Sequence, residues 1–297
     1  MQGQPKRTVR RRKRRTSPLA LTLAAALAII ALVGVILLAS GYRYISKDGV
    51  KFSGHVKNGQ PVDGTVHYAD GINGKLTKDA DSAQGKIVYS TGDVFEGSLN
   101  GIVREGKGTI TYKNGDTYEG DFAADKLTGE ATFTAASGAS YIGSVVDGKP
   151  DGKGKYVFAD GSYYYGEWKD GKRGGVGEEH YPDGSYYYGA FVDDKRTGSS
   201  EITVTLENGM VYTGKNKFAF SNGDTYVGDY LNGKRNGSGK YTWASGQSYD
   251  GAWVNDVMEG NGTYDFGNGK APYVGIFAGG QIAESTAPVQ TPETPAA

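Results

Sequence analysis

Residues 164–186, YYGEWKDGKRGGVGEEHYPDGSY, decide the fold. The stretch opens on Tyr164-Tyr165-Gly166-Glu167-Trp168, passes a loop at Lys169-Asp170-Gly171-Lys172, starts a second run near Gly175-Val176-Gly177 and reaches a turn at Asp183-Gly184. Asp-Gly suits positive-φ turns, and period-2 alternation between turns reads as strand. The unit is therefore a β-hairpin with about six residues per strand. Outward in both directions the aromatic-x-Gly signature returns at Phe95-Glu96-Gly97, Tyr118-Glu119-Gly120, Tyr141-Ile142-Gly143 and Tyr187-Tyr188-Gly189, with 23 residues from each glycine to the next. Weaker copies stand at Phe52-Ser53-Gly54, Ile72-Asn73-Gly74, Tyr212-Thr213-Gly214, Tyr226-Val227-Gly228, Tyr249-Asp250-Gly251 and Tyr273-Val274-Gly275. The expected architecture is all-β: about 10–11 hairpins over residues 50–280, laid side by side as one elongated single-layer solenoid. About 22 strands at ~4.8 Å spacing give a ribbon roughly 100 Å long.

Alternation assigns the two faces. Side chains two apart share a face, so Tyr118/Gly120/Phe122, Tyr141/Gly143/Val145, Tyr164/Gly166/Trp168, Tyr187/Gly189/Phe191, Tyr226/Gly228 and Tyr249/Gly251/Trp253 form one aromatic row. Glycine beside each ring lets the ring lie flat over the backbone. The opposite face is mostly polar, with Thr117, Glu119 and Asp121 in one unit. The unit around Tyr212 is short, 14 residues from its glycine to the next, and is expected to bend or interrupt the stack.

This pattern, Tyr-x-Gly-x-Trp followed by Gly-x-x-x-Gly-x-Gly over 23 residues, resembles the MORN family (membrane occupation and recognition nexus), of a bacterial, membrane-anchored type. The resemblance implies a hairpin solenoid serving as a scaffold or docking module, in some members attributed to lipid binding.

The amino terminus reads as an address. Eight basic residues between Lys6 and Arg15 precede Leu19–Leu38, twenty residues without charge. At 1.5 Å per residue that run spans ~30 Å, a bilayer's hydrocarbon thickness. The expected organisation is a basic cytosolic segment at 1–17, a transmembrane signal anchor at 18–40, a linker at 41–49, repeats at 50–280 and a disordered Pro/Thr/Ala tail at 281–297. The positive-inside bias keeps the amino terminus cytosolic and the repeats extracytoplasmic, at the cell membrane.

Composition narrows the chemistry. The chain of 297 residues has 48 Gly, no Cys and three His, which leaves no thiolate zinc site, disulfide framework or cysteine nucleophile. Residues 41–297 carry 25 basic against 33 acidic groups, a net of −8, which opposes nucleic-acid binding. The Gly-x-Gly steps at 106–108, 152–154, 175–177 and 237–239 precede no helix and read as repeat glycines, not phosphate loops. His180, among Glu178, Glu179 and Asp183, reads as a solvated neighbour. No catalytic residue, cofactor or metal site is expected.

The candidate binding patch is Tyr163, Tyr165, Tyr186 and Tyr188, on the face opposite the aromatic row, with Tyr163 expected near Tyr186 and Tyr165 near Tyr188. Glu179 stands where other units place apolar residues. It is expected at a rim open to water, or paired with Lys or Arg, or touching a ligand. The functional expectation is a non-enzymatic, membrane-anchored scaffold docking a protein or envelope polymer. A cell-wall or glycan-binding module and a lipid-headgroup binder are the alternatives.

Overall fold

The computed structural model describes residues 18–283. A helix, α1, spans Pro18–Ala39. It is followed by 24 strands, of which 22 form a single antiparallel sheet. Each strand pairs with the one before it and the one after it, so the order in space is the order in the chain, with one excursion. The first strand pairs on one side alone, which leaves an open ribbon of hairpins.

The ribbon begins earlier than expected. The supposed linker at 41–49 contains strand Tyr42–Lys47, fully paired with Val50–Lys57. The helix runs straight into it: Arg43 Nη1 donates to the Leu38 carbonyl at 2.8 Å, and the Gly41 carbonyl accepts from Val56 N–H at 2.9 Å. At the other end, Gln281–Ile282, assigned to the tail, pairs with Phe277–Ala278. The basic segment 1–17 and residues 284–297 lie outside the described residues. Among the described residues no helix is long and apolar enough to cross a membrane, and the described side chains of α1 begin at Ile29.

A single sheet has no second layer to cover it, and the repeat solves this within one face. Glycines align across neighbouring strands, as in Gly143↔Gly154↔Gly166↔Gly177↔Gly189. The tyrosine two residues before each first-strand glycine folds its ring onto this row. A Cβ on Gly177 would sit 2.6 Å from the Tyr164 ring, and one on Gly166 would sit 2.6 Å from the Gly177 Cα. The ring then turns its hydroxyl to the backbone: Tyr164 Oη donates to the Glu167 carbonyl at 2.9 Å, Tyr141 to Ser144 at 2.7 Å and Tyr249 to Ala252 at 2.9 Å. Buried phenols need such partners. The aromatic four residues on in the next unit closes over the ring edge-on: Tyr141–Trp168 at 5.7 Å, Tyr164–Phe191 at 5.0 Å, Tyr226–Trp253 at 5.5 Å. Tyr164, Tyr187, Tyr226 and Tyr249 are thereby wholly buried.

Both glycines of a Gly-x-Gly step have work to do. Gly175 has φ +56°, and the register shifts between Gly166 and Trp168 at this point, a bulge that lets the second strand start at Lys172, three residues before the expected position.

The short unit does not interrupt the stack. Strand Lys217–Ala219 pairs with Tyr186–Tyr188 on one side and Thr225–Val227 on the other. Tyr187 meets Tyr230 edge-on at 5.4 Å, as if no residues intervened. The extra residues leave the sheet as a separate hairpin, Ile202–Thr205 with Val211–Gly214. Asn216, 1% exposed, closes its neck: Nδ2 donates to the Thr197 and Gly198 carbonyls, both at 2.8 Å, and Oδ1 accepts from Ala190 N–H at 3.0 Å.

Candidate functional site

Along the aromatic face runs a groove. One wall is the buried tyrosine row. The other is a second, half-buried aromatic line from the second strands and their turns: Tyr181–Phe218, Phe220–Tyr241, Tyr241–Trp243 and Trp243–Tyr264 lie 6.3, 5.7, 4.8 and 5.6 Å apart. Four arginines fill parts of it. Arg104 lies over Phe122 at 5.2 Å, Arg173 over Phe191 at 5.2 Å, Arg196 over Tyr187 at 4.5 Å and Arg235 over Trp253 at 4.3 Å.

Three of these arginines are stapled to the next unit. Asp125, Asp194 and Asp256 each accept from the backbone N–H of an arginine 21 residues earlier, at 2.9 Å, and from its Nε at 2.9, 3.4 and 3.2 Å. Each aspartate occupies the second position of a two-residue turn at positive φ, +66°, +67° and +72°, where other units have glycine. Units without the arginine keep the glycine: Gly148 donates its N–H to the Leu127 carbonyl at 3.0 Å, and Gly171 to the Pro150 carbonyl at 2.8 Å. Sequence reading missed this staple, although arginine followed 21 residues later by aspartate in place of a turn glycine is a legible signal.

Where Leu127 and Pro150 replace arginine, the groove is empty. A hollow of about 600 Å³ lies there, lined by Leu127, Pro150, Phe133, Tyr156, Phe158 and Trp168, and closed at one end by Arg173 and Asp194. Arg104 and Asp125 border an adjoining hollow of similar size with Tyr68, Tyr89 and Tyr112. Among the described residues no layer covers this apolar surface.

Glu179 is not at a rim. It is 8% exposed on the aromatic face, opposite Tyr164 and Tyr187 in register. Oε1 accepts from Arg173 Nη1 at 2.6 Å, and Oε2 from Arg196 Nη2 at 2.8 Å. Burial pushes its carboxyl up, but the Arg196 and Arg173 guanidiniums outweigh burial and hold it below the usual range. Arg196 is the arginine with glycine, Gly233, at its staple position, and Glu179 takes the role of the missing aspartate.

The four patch tyrosines lie on the opposite face, as strand alternation requires, but they are half-buried, and Tyr163 and Tyr165 are not adjacent to the stacked pair Tyr186 and Tyr188. Strand Lys172–His180 separates them, giving Tyr163↔His180↔Tyr186 and Tyr165↔Glu178↔Tyr188. The His180 ring stacks on Tyr163 at 4.6 Å and on Tyr186 at 5.7 Å, so it is a member of the cluster and not a solvated neighbour. Its Nε2 lies 2.8 Å from Glu178 Oε2. Glu178, 3% exposed, is covered by the extra hairpin: Glu207 N–H donates to its Oε1, Lys155 Nζ pairs with Glu207 at 2.6 Å, and Tyr212 meets Tyr188 at 5.5 Å. Burial raises the Tyr163 phenol to about 12, with Glu178 and Glu207 adding to the shift.

Fold and groove together define an open hairpin solenoid with an aromatic groove along one face. Six segments, residues 95–117, 118–140, 141–163, 164–186, 226–248 and 249–271, match the MORN repeat model, and they support the MORN-repeat family. The unmatched stretch between residues 187 and 225 holds the excursion. The chain matches no curated protein. Among solved structures it is similar to the Drosophila melanogaster SAS-4 TCP domain in complex with a proline-rich motif of Ana2, at 18% identity, covering 58% of this chain and 88% of that one, with a TM-score of 0.29. It is also similar to the Danio rerio CPAP TCP10 domain in complex with a STIL peptide, at 13% identity, 72% and 94% coverage and a TM-score of 0.23. A streptogramin B lyase aligns at 13% identity, 80% and 84% coverage and a TM-score of 0.17. Superpositions this loose carry no function across.

Proposed function

We propose that this chain is a non-enzymatic, membrane-anchored scaffold that docks an extended segment of a protein partner in its aromatic groove, with the hollow at Leu127 and Pro150 taking an apolar anchor side chain. One observation carries this reading: among the described residues no second layer covers the face holding the core, and at two consecutive units the arginine that fills the groove in the units on either side is absent. Concave, mostly apolar sites with a few fixed polar groups are where ligands bind. The matched repeats also support a binding or scaffold role.

Anchoring is part of the proposal. It is supported by the uncharged run Leu19–Leu38 within α1, by the exposed apolar side chains of Ile29, Ile30, Leu32, Val33, Val35 and Ile36, and by the basic cluster ahead of it. That cluster favours a cytosolic amino terminus, which puts the ribbon outside the membrane.

The staple supplies the test. Leu127→Arg with Gly148→Asp writes the arginine–aspartate pair of the other units into the hollow and should fill it without harming the fold. Peptides selected from a random library on the full chain in detergent micelles should lose at least tenfold in affinity for this double variant and bind Tyr163→Ser/Tyr186→Ser unchanged. Selected peptides that bind the filled variant as well as the parent would refute the groove. Binding of isolated cell wall or of anionic vesicles in place of peptides would point to the glycan or lipid alternative.

A further inference from the structure

We propose that the proline-rich segment 284–297 docks in cis, as a polyproline II strand, along the last stretch of the aromatic groove, over Tyr264 and Trp243. This stretch shares no lining residue with the hollow at Leu127 and Pro150. Tyr241, Trp243, Trp253 and Met258 line a separate hollow of about 380 Å³, bordered by Arg235 and Gly280. The groove is open here for the reason it is open at Leu127 and Pro150. Arg235 stands opposite Tyr230 in register, but Met258 stands opposite Trp253 and Ile282 opposite Phe277, so the last two units lack the arginine. Half-buried rings carry the outer wall on to the end of the ribbon, Trp243 to Tyr264 at 5.6 Å and Tyr264 to Phe266 at 5.1 Å.

The course of the chain selects the occupant. Gln281–Ile282 runs in the same direction as Val257–Asp265, two pairings away, and that strand leads up to Tyr264 and Phe266. The course still holds at Ala283, whose N–H donates to the Ile276 carbonyl at 2.9 Å. The next residues are therefore delivered to the aromatic line. Their sequence, ESTAPVQTPETPAA, carries Pro288, Pro292 and Pro295, the last two spaced Pro-x-x-Pro. Proline has no N–H to give to a strand ladder, and its fixed φ suits polyproline II. Aromatic-lined grooves take such segments, because the preformed helix has little entropy left to lose. Reach decides which part of the groove is covered. Residues 284–297 span ~43 Å at ~3.1 Å each. Trp243 stands just past strand Lys234–Thr242, four pairings or ~19 Å back across the sheet. Pro150 is ten pairings or ~48 Å back, out of reach. Docking in cis thus covers the carboxyl-terminal end of the groove and leaves the hollow at Leu127 and Pro150 free.

Because the chain has no cysteine, a nitroxide at Ala296→Cys on the full chain in detergent micelles reports where the segment lies. Paramagnetic broadening of the three tryptophan indole N–H signals is measured against the reduced label. It should be strong at Trp243 and Trp253 and absent at Trp168, which lies five strands beyond Trp243. A tethered segment that never docks would also visit Trp243, so the control keeps the tether and changes its conformation. Pro288→Ser/Pro292→Ser/Pro295→Ser leaves every residue of the ribbon unchanged and should cut the broadening at Trp243 by about threefold or more. Broadening undiminished in this triple variant, or as large at Trp168 as at Trp243, overturns the proposal. So does broadening in an isotope-labelled copy without nitroxide when it is mixed with an unlabelled nitroxide-bearing copy, because a second chain then fills the groove.

Discussion

Replacing Asn216 tests whether the ribbon is truly continuous across its irregular unit. Asn216 stands in the glycine row, where the ladder between Tyr186–Val192 and Thr225–Leu231 has run out of backbone partners, and its amide makes three bonds of 2.8, 2.8 and 3.0 Å. In Asn216→Ala all three go. At about 1 kcal/mol each for the bonds, plus a further penalty where a buried group finds no water, the local cost is ~3–5 kcal/mol. Asn216→Asp should be no better: it keeps the acceptor for Ala190 N–H but aims a carboxylate oxygen at two carbonyls. A solenoid need not unfold in one step, so a single melting temperature is a poor gauge. Amide exchange is the right assay, read at Ala190 and at Tyr230, whose N–H donates to the Gly198 carbonyl. Both should exchange at least a hundredfold faster, while Tyr118 and Tyr249 in distant units keep their protection. A change below tenfold at both amides would refute the stitching role and leave the continuity to Lys217–Ala219 alone.

Three further outcomes follow from the same packing. Tyr164→Phe should cost about 1 kcal/mol, for the hydroxyl bond to Glu167 alone, and Tyr164→Ala at least ~3 kcal/mol, because it empties a wholly buried ring site; denaturation of both variants checks this. Gly166→Val should destabilise more than Gly171→Ala, since its side chain meets the Tyr164 ring and the Gly177 Cα, whereas Gly171 has nothing nearer than Lys149 at 3.8 Å. Glu179→Gln should cost ~2–4 kcal/mol by leaving two guanidiniums short of countercharge. The folded carboxyl is held low, so its stabilisation is present at neutral pH and lost as pH falls below the ordinary glutamate range; a pH-stability profile of Glu179→Gln should lack that acid limb.

The sequence by itself determined the hairpin unit, its 23-residue period and the aromatic face. Each of these is local: a turn dipeptide, a two-residue alternation and a recurring Tyr-x-Gly need no knowledge of distant residues. It also assigned Tyr163, Tyr165, Tyr186 and Tyr188 to the face opposite the core, because alternation alone decides that. What it misjudged depends on which strands become neighbours. Tyr163 and Tyr186 are 23 residues apart and equivalent by repeat, yet antiparallel pairing slips His180 between them. Glu179 looked like a rim residue because its partners meet it only on the buried face, Arg173 from six residues back along its own strand and Arg196 from across strand Tyr186–Val192. The short unit looked like a break because spacing cannot tell a gap in the ladder from a loop expelled out of it, and only the pairing of Lys217–Ala219 with Tyr186–Tyr188 decides. The groove belongs to the tertiary structure too: Leu127 and Pro150 are ordinary strand residues in sequence, and they make a hollow because arginines fill the same place in the units around them.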